Sequence, residues 1–205
     1  MLPRPSASSA WCVISHDVSV PSGPPASGKD AITKALSQSS PRYILFEKFK
    51  VGAGRQAGYR LTTTGDIDRM RGLGLILYAN ERYGNTYAVD RPSLDALFAR
   101  GLVPIVHMGQ LAGIRALKTY PAAWLSFLLW CPREVAEKRA RERGDPDLAA
   151  RLAAWDETAQ DLERADPGDF SLRLRTDWQT PTEIAEAIRA QLEEAAPDAQ
   201  PAQVR

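Results

Sequence analysis

Short apolar runs alternate with helix-like stretches along most of this 205-residue chain, and that alternation restricts the folds open to it. Tyr43-Ile44-Leu45-Phe46, Leu102-Val103-Pro104-Ile105-Val106 and Trp124-Leu125-Ser126-Phe127-Leu128-Leu129-Trp130 are nearly all apolar. Runs of this kind suit strands buried on both faces, as in a parallel sheet. Phe170-Ser171-Leu172-Arg173-Leu174 alternates and suits an edge strand. The helices between them have legible ends. Pro92 to Arg100 begins with Pro in its first turn and stops at Gly101, and Pro132 to Arg143 stops at Gly144. Asp145 is placed to cap a helix that opens with Pro146 and runs to about Arg164. Thr180-Pro181-Thr182-Glu183 has the layout of a capping box, and Ile184, Ala187, Ile188 and Leu192 fall on one face of its helix. Strands alternating with helices predict an α/β fold with a parallel central sheet flanked by helices, three layers in all.

A glycine-bracketed octapeptide, Gly23-Pro24-Pro25-Ala26-Ser27-Gly28-Lys29-Asp30, precedes Ile32, Ala35 and Leu36, which share one helical face. It matches the P-loop pattern G-x-x-x-x-G-K-[ST] at every defined position but the last. The pattern has a mechanism. Glycines let backbone N–H groups close around phosphates, a Lys reaches the β/γ-phosphates, and the next helix points its N-terminus at the anion. Gly23, Ala26, Ser27, Gly28, Lys29, Asp30 and Ala31 are therefore the candidate phosphate-binding residues. Asp30 stands where a hydroxyl would sit on Mg²⁺. A carboxylate can hold that hard cation too, directly or through water, so Asp30 is the candidate metal ligand. The strand candidate before the loop, Val18-Ser19-Val20, is short and polar, and His16 and Asp17 part it from Trp11-Cys12-Val13-Ile14.

Twenty-six basic and 25 acidic residues leave a formal net charge of +1, which gives no electrostatic argument for nucleic acid or an anionic membrane. Cys12 and Cys131 make no disulfide framework, and a reducing cytoplasm is the simpler expectation. No apolar run approaches the roughly 20 residues that span a bilayer. Residues 1–10 read as a disordered leader, 11–194 as a single domain and 195–205 as a frayed tail. Nothing in the pattern fixes an oligomeric state.

Residues 48–90 break the strand–helix rhythm. Val51 to Tyr59 is loop-like, a short helical piece follows near Asp66–Arg71, and Leu75-Ile76-Leu77-Tyr78 comes next. The stretch reads as an insert carrying Lys48, Lys50, Arg55, Tyr59, Arg82 and Tyr87, natural donors to a phosphomonoester. Over residues 132–164, Arg139, Arg141 and Arg143 precede Gly144-Asp145-Pro146, and Arg151 follows, an arrangement suited to a lid that closes on phosphates. The same charges also suit ordinary solvated faces, with i,i+4 pairs such as Glu134–Lys138 and Glu137–Arg141. His107 follows Ile105-Val106 at a predicted strand end, where open α/β sheets place their ligands. An acceptor contact, a proton shuttle and a structural histidine all remain open for it.

Together these pieces resemble the guanylate kinase branch of the P-loop nucleoside monophosphate kinases over roughly residues 18–192. Gly23–Asp30 is similar to that family's P-loop, Tyr83-Gly84-Asn85-Thr86-Tyr87-Ala88 to its G-N-x-Y-G segment, and Pro132–Gly144 with Arg151-Leu152 to its lid. The resemblance implies a P-loop NTPase fold with a helical lid and a small acceptor-binding insert. It implies a cytoplasmic kinase that uses ATP and Mg²⁺ on a small phosphorylated acceptor. It gives Lys29, Arg139, Arg143 and Arg151 catalytic roles at the ATP phosphates. Lys50, Arg55, Tyr59 and Tyr87 fall near the family's acceptor-phosphate ligands, and His107, by its place at the strand end, is a further candidate for the acceptor. The family reads guanine with two carboxylates. The first position aligns near Leu77, with Asn80 and Glu81 close by, and the second falls in Val106-His107-Met108-Gly109-Gln110, which has none. A nucleoside monophosphate other than GMP is therefore expected. A sugar phosphate such as ribose 1,5-bisphosphate, a non-catalytic protein-binding module and an NTP hydrolase are the alternatives.

Overall fold

The computed structural model describes residues 17–144 and 147–195. The polar strand candidate is the centre of the molecule. β1 (Asp17–Ser22) pairs in parallel with β7 (Val103–Ile105) on one side and β8 (Ala123–Trp130) on the other. Its register with β8 runs from Asp17↔Ala123 to Ser22↔Leu128. β2 (Tyr43–Leu45) and β9 (Leu172–Arg175) complete a five-stranded parallel sheet in the order β2-β7-β1-β8-β9. The alternating run near 170–174 is thus an edge strand, shifted slightly toward the C-terminus. Small hydroxyl side chains, Ser19 and Ser126, are tolerated inside the sheet because their neighbours Val18, Val20, Phe127 and Leu129 supply the apolar burial.

Two apolar clusters cover the sheet. On one face Ile105, Phe127 and Leu129 pack against Ile32 and Leu36 of α1 (Lys29–Ser39) and Ile184, Ile188 and Leu192 of α7 (Pro181–Ala195). On the other, Val18, Val20, Val106 and Leu128 pack against Leu94 and Phe98 of α3 (Arg91–Phe98) and Ile114 and Leu117 of α4 (Leu111–Leu117). This is the expected three-layer α/β arrangement. Helix α7 starts with the anticipated capping box, Thr180 and Glu183 each taking the other's backbone N–H. In α3, Asp90 caps by accepting from Ser93 N at 3.0 Å, with Pro92 in the first turn.

The insert forms its own sheet, in the order β4-β3-β6-β5. These strands are β3 (Lys48–Val51), β4 (Tyr59–Leu61), β5 (Ile76–Arg82) and β6 (Asn85–Asp90), and α2 (Thr64–Gly72) lies between β4 and β5. A Thr63–Asp66 capping box starts α2 earlier than the sequence reading had it. The stretch expected to form a lid folds as α5 (Arg133–Glu142) and α6 (Leu148–Leu162). Asp145 and Pro146 lie outside the described residues. The cap of α6 is Asp147, whose carboxylate accepts from Ala150 N at 3.2 Å, two residues later than anticipated. The proposed leader, Cys12 and the residues after Ala195 also lie outside the described set, while Ala195 itself closes α7. No helix among the described residues is long and apolar enough to cross a membrane.

Leu36 is fully buried between α1, the sheet and α7, whereas Leu73 is 68% exposed on the insert. Leu36→Ala is expected to cost about 2–5 kcal/mol by urea denaturation, and Leu73→Ala about 0.5 kcal/mol or less. Equal costs would contradict this assignment of the core.

Candidate functional site

Strand β1 ends in the glycine loop, which wraps the N-terminus of α1. Gly23 has φ 146°, and a Cβ there would lie 2.1 Å from Leu129 O, so only glycine lets the loop leave the sheet this close to β8. Gly28, at φ 93°, is the N-cap of α1. The backbone N–H groups of Lys29, Asp30 and Ala31 stand in the first turn, where a helix offers donors without intrahelical partners. Lys29 bends back over the loop, donating to Gly23 O at 2.7 Å, Pro24 O at 2.8 Å and Ser27 Oγ at 3.2 Å. Burial, and then the nearby charges of Arg82 and Lys48 acting against Asp30, pull its pKa down to about 7.

A cavity of about 970 Å³ opens from this loop. Gly23, Ala26, Ser27, Gly28, Lys29, Asp30 and Ala31 form its floor. The insert contributes Lys48, Arg55, Tyr59, Tyr78, Asn80, Arg82 and Tyr87, and the segment after β7 contributes His107 through Gln110. Arg139, Arg143 and Arg151 reach it from the lid, and Thr176 and Gln179 from the β9–α7 loop. Seven basic side chains (Lys29, Lys48, Arg55, Arg82, Arg139, Arg143 and Arg151) face two carboxylates, Asp30 and Glu142. Such an imbalance in a concave site focuses positive potential on an anionic ligand.

Asp30 lies at the seam between the loop and the insert. Its Oδ2 accepts from Arg55 Nη1 at 2.8 Å, and Oδ1 is 3.6 Å from His107 Nδ1. Burial alone would raise its pKa, but the Arg55 hydrogen bond and nearby positive charge outweigh it and hold the carboxyl below its ordinary value. His107 is mostly buried, with Nε2 2.6 Å from Thr33 Oγ1. Burial, then the charge of Lys29, pulls its pKa down, so the ring is neutral. That makes it a poor proton shuttle near neutral pH. Among the described residues no group of three or more His, Cys, Asp or Glu gathers into a ready-made cation site. Asp30 fits the other kind of Mg²⁺ site, in which one carboxylate is joined by phosphate and water oxygens, provided that Arg55 releases it.

The remaining candidates divide. Tyr59 and Tyr87 meet with their rings tilted by 49° and their centroids 5.3 Å apart, and both border the cavity. Burial pushes Tyr87 up to about 12, which keeps its hydroxyl a donor. Lys50 does not border the cavity. It is 2% exposed, and its ammonium donates to Ala53 O and, at 2.8 Å, to Arg55 O. Its work is to hold the 52–58 turn, which corrects the expectation of a phosphate ligand there. Arg141 points outward to Glu137 along α5. Arg139 donates to Thr176 O at 2.6 Å, Thr176 Oγ1 at 3.0 Å and Ala26 O at 3.3 Å, tying the lid to the glycine loop. Tyr78, Asn80 and Gln110 were not picked out as ligands from sequence. Tyr78, Asn80 and Arg82 alternate along β5, so the period-2 rule would have put them on one face once β5 was known. Tyr78 Oη donates to Gln110 Oε1 at 2.8 Å, which fixes that amide.

The chain matches no protein-family model and no curated protein. Its fold is shared with solved structures. Guanylate kinase from Anaplasma phagocytophilum superposes with a TM-score of 0.63 at 16% identity, over 91% of this chain and 88% of that one. A sugar kinase from Janibacter sp. HTCC2649 superposes with a TM-score of 0.53 at 19% identity, over 91% and 99%. At such identities the likeness is one of fold: the chain shares the α/β fold of these two solved kinases.

Lys29 is expected to titrate near pH 7 in the ligand-free protein. Adding inorganic tripolyphosphate should move its midpoint up by roughly two units or more, because an anion favours the ammonium form. NMR of ¹³C-labelled lysine reads both. A midpoint near 10 without ligand would contradict the buried placement of this amine.

Proposed function

We propose that this protein is an ATP-dependent phosphotransferase with one kinase domain over about residues 11–194, an acceptor insert at 48–90 and a lid at 132–164. The acceptor is a small phosphorylated molecule, most suitably a nucleoside monophosphate or analogue other than GMP. The observation that carries this reading is convergence. A phosphate-type loop with Lys29 and cations from two separate substructures, insert and lid, meet in one cavity. A donor site alone would not need the insert's Lys48, Arg55 and Arg82.

In this reading the Gly23–Gly28 backbone and the first turn of α1 hold the donor phosphates. Lys29 lies where charge develops on the transferred group. Arg139, Arg143 and Arg151 gather at the same phosphates from the lid. Mg²⁺, held by Asp30 together with phosphate and water oxygens, would neutralise part of that charge. The acceptor oxygen forms a bond to the γ-phosphorus while the bond to the ADP oxygen breaks. A phosphomonoester is largely dianionic at neutral pH, so it brings its own deprotonated nucleophile and needs no general base. That suits a cavity whose one histidine is neutral, buried and bonded to Thr33.

The guanine edge offers N–H donors that call for acidic acceptors. At the insert end of the cavity wall Asn80 and Gln110 offer amides where the guanine-reading pattern has carboxylates, and Glu81 is exposed and does not line the cavity. This argues against GMP. The excess of basic side chains suits a sugar phosphate as well, which keeps that acceptor as the second reading.

The test is ADP formation from Mg-ATP across a panel of nucleoside monophosphates and sugar phosphates. One acceptor class is expected to give turnover that Lys29→Ala lowers by roughly 10³-fold or more without loss of fold. Turnover unchanged in Lys29→Ala would overturn the mechanism, and turnover without any acceptor would favour the NTP hydrolase.

A further inference from the structure

Two partly buried cations of the insert sheet keep donors unused by the protein. Lys48 Nζ has one acceptor among the described residues, His107 O at 3.1 Å, and sits 5.4 Å from the centre of the Tyr87 ring. Arg82 spends Nη2 on the lid helix α6, at Ala154 O (2.8 Å) and Thr158 Oγ1 (3.0 Å), with the exposed Glu157 carboxylate at 3.5 Å. Its Nε is buried and has no acceptor among the described residues. Nη1 lies against Gly109, where a Cβ would come within 2.8 Å of it.

These two cations flank one tripeptide, His107-Met108-Gly109. That tripeptide borders the glycine loop. Met108 bridges to Ser22, and a Cβ on Gly109 would lie 4.0 Å from Gly23 O. Lys48 and Arg82 are therefore held close to the donor end of the cavity. Burial and the charge of Arg82 together pull the Lys48 amine down to about 8, the mark of a cation lacking its counter-ion. Sequestering two such groups costs free energy unless an anion joins them. Of the insert cations expected from sequence to meet a phosphomonoester, Lys50 is committed to the carbonyls of its own turn, whereas Lys48 and Arg82 keep unused donors.

We infer that Lys48 and Arg82 form the anion site for the acceptor, and that its ligand is a phosphomonoester dianion. The identification of that ligand as acceptor rests on the phosphotransferase reading; the anion site itself does not. A dianion between them takes the free N–H groups of Lys48 and those of Arg82 Nη1. Because Nη2 already holds α6, occupancy also fixes the lid relative to the insert.

The probe is inorganic phosphate, titrated calorimetrically into protein saturated with Mg-ADP. Wild type is expected to bind it. Lys48→Gln and Arg82→Gln should each weaken that binding by roughly tenfold or more, with Mg-ADP affinity unchanged, and Arg55→Gln by roughly threefold at most. Lys48→Gln leaves the α6 contacts intact, so it decides the matter if Arg82→Gln loosens the lid. No phosphate binding in wild type, or loss with Arg55→Gln but not with Lys48→Gln, would overturn the site. If Mg-ADP itself does not bind, the donor-site reading fails. The phosphate titration is then made on Lys29→Ala, with and without Lys48→Gln, and a difference of the same size still upholds the anion site.

Discussion

The contact between Gly23 and Leu129 is the constraint on which the rest of the site depends. The sheet delivers β1 to the loop, and the loop must turn away against the carbonyl of β8 with no room for a side chain. That turn aims the N-terminus of α1 at the cavity and folds Lys29 onto the loop's own carbonyls. Everything charged in the site is arranged around this point. Asp30 follows Lys29 in the first turn, His107 lies beside Asp30 at the end of the next strand over, and Arg139 straps the loop to α5.

A second theme is how the protein keeps so many cations together. It pairs some of them internally, Arg55 with Asp30 and Arg139 with the Thr176 carbonyl. It lowers the proton affinity of others by burial, Lys29 to about 7 and Lys48 to about 8. Both devices reduce mutual repulsion in the ligand-free protein, and both can be reversed by an anion. The Arg55–Asp30 pair also joins the insert to the glycine loop, so a cation taken up at Asp30 and a rearrangement of the insert would be coupled.

Much of the fold was legible in the sequence because the sheet is buried on both faces. Trp124–Trp130 and Leu102–Val106 advertise that burial directly, and the helix ends carry Pro, Gly and a capping box. The polar β1 was the obscure strand, since burial of Ser19 and Ser22 is decided by their neighbours rather than by their own polarity. The insert was read as irregular because Lys48–Val51 and Tyr59–Leu61 are too short to display a period, and their pairing is non-local. In the site, the glycine loop and the lid arginines could be picked out by spacing. The direction of Lys50 could not. Lys48 and Lys50 share a strand face, and only the 52–58 turn, which folds back over Lys50, separates a cavity cation from a structural one.

The most direct test of the account is a crystal structure with Mg²⁺ and a non-hydrolysable ATP analogue. The account predicts the polyphosphate wrapped by Gly23–Gly28 with Lys29 at its end, the metal beside Asp30, and Arg55 moved off that carboxylate. A nucleotide bound away from this loop, with the Arg55–Asp30 pair intact, would contradict it.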